Sequence, residues 1–124
     1  MKTCIEAPGI PKAGPYSHAV RTGDLIFVSG NVAFDPQTGT AIKGDIGRAT
    51  RVILNNIERI LAAAGSDLGK VVKTTVFLVD MGTFPQMNEV YGDVFGSDPP
   101  ARSTVGVREL PGGYDIEIEV IAAA

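Results

Sequence analysis

Between Asp45 and Gly65 the chain carries one long stripe of apolar residues at helical spacing: Ile46, Ala49, Ile53, Ile57, Ile60, Leu61 and Ala64. Arg48, Arg51, Asn55, Glu58 and Arg59 lie mostly off it. Asp45 has the short acceptor side chain of an N-cap, and Gly65 supplies the left-handed stop. A helix from Ile46 to Ala64 is about 28 Å long at ~1.5 Å per residue. It needs an apolar partner of at least that length. Nothing before Gly44 has a helical period longer than one turn, so a sheet face is the expected partner.

The rest of the chain supplies such a sheet. Ser17–Thr22 and Leu25–Ser29 read as short strands joined by a Gly23-Asp24 hairpin loop. Asp35-Pro36-Gln37-Thr38-Gly39 is a turn. Val71–Val79 reads as a central strand with apolar residues on both faces: Val71, Phe77 and Val79 on one, Val72, Val76 and Leu78 on the other. Thr83 can cap a second helix, Phe84–Phe95, with Pro85 in its first turn and a stripe of Met87, Val90, Tyr91, Val94 and Phe95. Gly96 to Pro100 stops it. Arg102–Val107 and Asp115–Ala122 are the last two strands, around a turn at Pro111-Gly112-Gly113. In the final strand Ile116, Ile118 and Val120 face one way and Glu117 and Glu119 the other.

The predicted class is therefore α+β, one domain over residues 1–124, with two helices packed on one face of a mixed sheet. The opposite face combines Val71, Phe77, Val79 and Ile121 with Lys73, Thr75, Glu117 and Glu119. It is too apolar to leave bare and too polar for a dry core, which predicts self-association with polar groups paired at the seam.

Composition narrows the function. Eleven basic against fourteen acidic residues give a net charge of −3, which argues against a bulk nucleic-acid or anionic-membrane binder. No window is apolar for the length of a membrane span or a signal peptide, so the cytoplasm is the default expectation. The single cysteine, Cys4, cannot form an internal disulfide and reads as a small apolar filler in an N-terminal strand. The lone histidine, His18, makes a zinc site improbable without converging carboxylates. There is no phosphate-loop or dinucleotide glycine motif and no His-Glu-x-x-His metalloprotease motif.

Six segments in series resemble the YjgF-type reactive-intermediate deaminase (Rid) family: Gly14-Pro15-Tyr16-Ser17, Ile26 to Gly30, Val71 to Asp80, Met87 to Tyr91, Pro100 to Ser103, and Ile116 to Glu119. Their order and spacing cover essentially the whole chain. The resemblance implies a chorismate-mutase-like fold and a homotrimer around a central barrel-like core, with clefts at the subunit interfaces. It implies hydrolysis of enamines and imines such as 2-aminoacrylate to 2-oxo acids and ammonia, without cofactor or metal. It also implies a functional link to the pyridoxal-phosphate-dependent dehydratases that release such intermediates.

Arg102 is the first candidate residue. A guanidinium fork pairs bidentately with a small planar carboxylate, as lysine cannot, and the family's arginine after Pro-Ala binds the substrate carboxylate. The alternative is a structural arginine paired with an acid. Glu117 is the second: a glutamate within a strand is disfavoured unless paired. It is either an intersubunit ion-pair partner or, as the resemblance implies, the group that orients the attacking water. Glu119 is assigned to structure, or to a pair with Lys73 or an arginine. Tyr16 and Asn88 match cleft-lining positions. Ser29 and Gly30 end a strand where a hydroxyl and backbone donors could meet a ligand. Thr104 stands where many family members have cysteine, and the Val107–Tyr114 turn can shape the cleft. The expected function is enamine/imine deaminase. The alternatives are a non-catalytic trimer binding small 2-oxo acids and, against the charge balance, an endoribonuclease.

Overall fold

The computed structural model describes residues 1–124. In chain order the elements are β1 (Thr3–Ile5), β2 (Ala19–Thr22), β3 (Leu25–Val32), β4 (Phe34–Asp35), β5 (Thr40–Ala41), α1 (Ile46–Ala63), β6 (Val71–Leu78), α2 (Phe84–Phe95), β7 (Ala101–Gly106) and β8 (Ile116–Ala123). Six strands form one sheet in the order β1-β2-β3-β8-β6-β7, and β4 and β5 pair separately. Only β6 and β7 run parallel, with α2 as their crossover; every other pairing is antiparallel. The sheet is thus mixed, as expected, and β8 lies in its middle.

Helix α1 forms where its stripe requires. Asp45 Oδ1 accepts the Arg48 N–H at 3.1 Å, and Gly65 adopts φ +78° just beyond the C-cap Ala64. Ile53, Leu54, Ile57, Ile60 and Leu61 are fully buried, packed in one core with Ile26, Val76, Leu78, Ile116 and Ile118 of the sheet. Each such side chain contributes about 1.5–3 kcal/mol by leaving water. Two polar residues share the buried face: Thr50 Oγ1 donates to Ile46 O at 2.7 Å, and the Asn56 amide donates to Phe34 O at 2.8 Å. From α2, Met87 and Tyr91 are buried, and the Tyr91 hydroxyl meets Thr74 Oγ1 at 2.7 Å.

The structure corrects two local expectations. Val71 is buried, whereas Val72 is 49% exposed. The register of β6 against β8 shifts between Val71 and Lys73, and the extra residue flips the parity of everything before it. Cys4 is exposed rather than a core filler. It pairs with Val20, and Val20 with Phe27, in a row across the uncovered side of the sheet. That side also exposes Phe27, Leu25 and Val105 by about two-fifths each. It is the mixed apolar and polar surface expected from the sequence. Lys73 on it bonds Ser103 Oγ at 2.9 Å rather than Glu119.

Candidate functional site

The site begins at an irregularity in β3. Its register with β8 shifts between Val28 and Asn31, so Ser29 and Gly30 fall outside the regular ladder. The strand continues to Val32, past the expected end at Ser29. Ser29 is tied down on two sides, its N–H donating to His18 O at 3.0 Å and its hydroxyl to Ser17 O at 2.7 Å. Gly30 then passes directly under the Glu117 side chain. A Cβ placed on Gly30 would lie 2.8 Å from Glu117 Cδ and overlap the carboxylate itself.

Glu117 stands on the uncovered face, opposite Val32 on one side and Phe77 on the other. Burial pushes its carboxyl above the ordinary carboxylate range, and the nearby Glu119 charge adds to the effect. It lines a cleft of about 640 Å³ together with Tyr16, Ser29 and Gly30. Sequence reasoning placed these four in a site, and the fold brings them together. The same cleft is walled by Pro11, Lys12, Ala13, Val32 and Phe34, none of which stood out in the sequence. Pro111, Gly112 and Tyr114 form the remaining wall, where the expected turn shapes the cleft. Lys43 braces that wall: its Nζ donates to Gly112 O at 2.6 Å and sits 5.0 Å from the centre of the Tyr114 ring. Tyr16 is held in its loop by the Ala13 N–H, which donates to the phenolic oxygen at 3.3 Å.

Arg102 lies elsewhere. It is level with Thr74 on the helix-covered side of β7, whereas Glu117 is level with Phe77 on the open side of β8. Strand spacing and rise put the two backbones about 14 Å apart, with side chains on opposite faces. The guanidinium is held from three directions: it donates to Asn88 Oδ1 at 2.7 Å and lies 4.7 Å and 5.4 Å from the centres of the Tyr91 and Phe84 rings. Cation–π contact and the amide fix its orientation without neutralising it. Both close contacts between a basic nitrogen and a carboxylate in the chain are at Glu6, with Lys12 Nζ at 2.8 Å and His18 Nδ1 at 3.0 Å, so Arg102 has no acidic partner. A fixed, uncompensated guanidinium is a receptor for an anion. Thr104 is on the same side of β7 as Arg102, and its Oγ1 is buried without a hydrogen-bond partner.

The predicted residues therefore fall into two groups within one chain. Arg102, Asn88 and Thr104 gather at the β7 edge around a guanidinium without an acidic partner. Glu117, Tyr16, Ser29 and Gly30 form a half with an acid of raised pKa in a cleft.

Comparison with known proteins identifies the family. Residues 6–124 match the family model described as Endoribonuclease L-PSP. The chain is similar to a RutC family protein of Pyrococcus horikoshii, 49% identical over 98% of both chains. It is similar to 2-iminobutanoate/2-iminopropanoate deaminase of Mus musculus, 44% identical over 98% of this chain and 91% of the mouse protein. Among solved structures it superposes on a Rid family protein of Yersinia pestis, with a TM-score of 0.94 and 42% identity over the full length of both.

Proposed function

Because this chain belongs to the YjgF/RutC/Rid family, we propose that it is an enamine/imine deaminase whose sites form between copies of the chain. Copies associate through the uncovered sheet face, which buries Phe27 and Val105. The Arg102 half of one copy then faces the Glu117 half of the next. The observation that carries the proposal is the division itself: an unneutralised, pre-oriented guanidinium and a carboxyl of raised pKa that one copy cannot bring to the same substrate.

The chemistry follows from the two halves. A 2-aminoacrylate tautomerises to 2-iminopropanoate. Arg102 pairs with its carboxylate through two parallel N–H···O bonds. Glu117, its carboxyl pushed above the ordinary carboxylate range by burial, takes a proton from water as the oxygen adds to the C=N carbon. Glu117 returns that proton to nitrogen, giving the carbinolamine, and then carries the hydroxyl proton to the amine as C=O forms and the C–N bond breaks. Ammonia leaves, and pyruvate remains. No step needs a cofactor. The mouse relative's name supports the same substrate class for this chain. The alternative of RNA cleavage finds less support, because the only histidine is buried and already bonded to Ala7.

The test generates the imine in situ with an amino-acid oxidase, with semicarbazide competing for it. Wild-type protein should speed loss of the imine, and Arg102→Ala should not. No acceleration with alanine-, leucine- and threonine-derived imines would replace this proposal with a ligand-binding role.

A further inference from the structure

Behind the cleft lies a second cavity of about 50 Å³. It shares Tyr16, Ser29 and Gly30 with the cleft, and His18, Asn31 and Asn56 belong to it alone. It is large enough for a water molecule, whose share of liquid volume is about 30 Å³. His18 is 6% exposed, and its Nε2 is buried with no hydrogen-bond partner in the chain.

The other ring nitrogen defines what that atom is. His18 Nδ1 accepts the Ala7 N–H at 2.9 Å, so the neutral ring carries its proton on Nε2. His18 therefore presents a buried N–H that lacks an acceptor, at a cavity it lines with two asparagines. An ammonium ion cannot fill the role, since it only donates. A water oxygen can. The Asn31 and Asn56 amide nitrogens are committed to Ser29 O and Phe34 O, both at 2.8 Å. Their carbonyl oxygens remain to accept water's hydrogens.

We propose that this cavity is a water site gripped by His18 Nε2–H, and that it supplies the hydrolytic water to the cleft. The supply role rests on the imine-hydrolysis reading; the water site does not. In that role the water's oxygen becomes the carbonyl oxygen of the 2-oxo acid. Its two hydrogens leave with the imine nitrogen as ammonia, so the reaction balances without a further reactant.

The test is a crystal structure of the whole protein at a resolution that orders waters, beside His18→Asn and His18→Gln. Asparagine keeps an acceptor for the Ala7 N–H and has nothing at the Nε2 position, whereas glutamine places an N–H near it. A water should lie within hydrogen-bond distance of Nε2 in wild type and of the glutamine amide, and be lost in His18→Asn. With 2-iminopropanoate, His18→Asn should lower kcat about tenfold with KM unchanged, the scale of one hydrogen bond to a reactant, and His18→Gln should recover most of it. A wild-type structure with no water at Nε2 overturns the site. Full kcat in His18→Asn overturns the supply role. If His18→Asn does not fold, the wild-type density and the glutamine variant still decide. If wild type hydrolyses no imine, the deaminase reading falls while the density still decides the water site.

Discussion

The Glu117 carboxylate fills the space that a side chain at residue 30 would occupy. Gly30 is thus required by close approach rather than by an unusual backbone angle, since it is not among the glycines with positive φ. Gly30→Ala should force Glu117 to turn out of the cleft. We expect kcat to fall by about two orders of magnitude, the lower end for loss of a general base. Thermal melting should shift far less than for a core truncation, because the overlapped atoms end a flexible side chain. Steady-state kinetics and a melting curve on one preparation would separate the two effects.

Arg102 and Glu117 should complement each other between copies. Arg102→Ala and Glu117→Gln should each be inactive alone. Unfolded together and reassembled in equal amounts, they should regain roughly one quarter of wild-type activity, since half the copies supply each intact group at random. No recovery in reassembled mixtures would mean that each site lies within one copy.

Glu117 should set the acid limb of the kcat/KM profile. In the proposed mechanism its ionised form is the base, so activity should rise with pH through its pKa, above the ordinary carboxylate range. Glu119→Gln removes the neighbouring charge and should move that limb to lower pH. Stability runs the opposite way. A carboxyl whose folded pKa is raised contributes stability that is full below the ordinary carboxylate pKa and lost as pH rises through the folded value. Glu117→Gln should therefore be more stable relative to wild type at pH 7 than at pH 4, measured by denaturant titration at both.

Thr104→Val should stabilise the chain. The hydroxyl is buried without a partner, and replacing it by a methyl of the same shape removes an unmet desolvation cost of about 1 kcal/mol. A lower melting temperature would show that the hydroxyl gains a partner in the assembled protein.

Lys43→Met should loosen one wall of the cleft. The variant loses the bond to Gly112 O and the cation–π contact with Tyr114. KM for the imine should rise severalfold with little change in kcat, as expected when only substrate positioning is relaxed.

What local pattern determines was readable along the chain. Helix α1 has apolar period, cap and stop within one segment, and β8 alternates by period two between a buried and an open face. The halves of the site were visible as residue types: a fork-shaped cation after Pro-Ala, and a carboxylate where a strand disfavours one. Three things were not readable, each for want of a long-range contact. The bulge that exposes Val72 is a property of the pairing with β8. The exposure of Cys4 depends on which face its edge strand presents. Lys12 joins the cleft only because its loop folds back beside Gly30.

Sequence alone therefore determined the elements and the chemical groups, because capping, period and side-chain type act within a few residues. Tertiary structure decided their grouping. The insertion of β8 between β3 and β6 sets Glu117 over Gly30. The parallel register of β7 on β6 turns Arg102 to the other face. Adjacent residues of a strand point to opposite sides of the sheet, so register rather than composition separates the carboxylate of this site from its guanidinium.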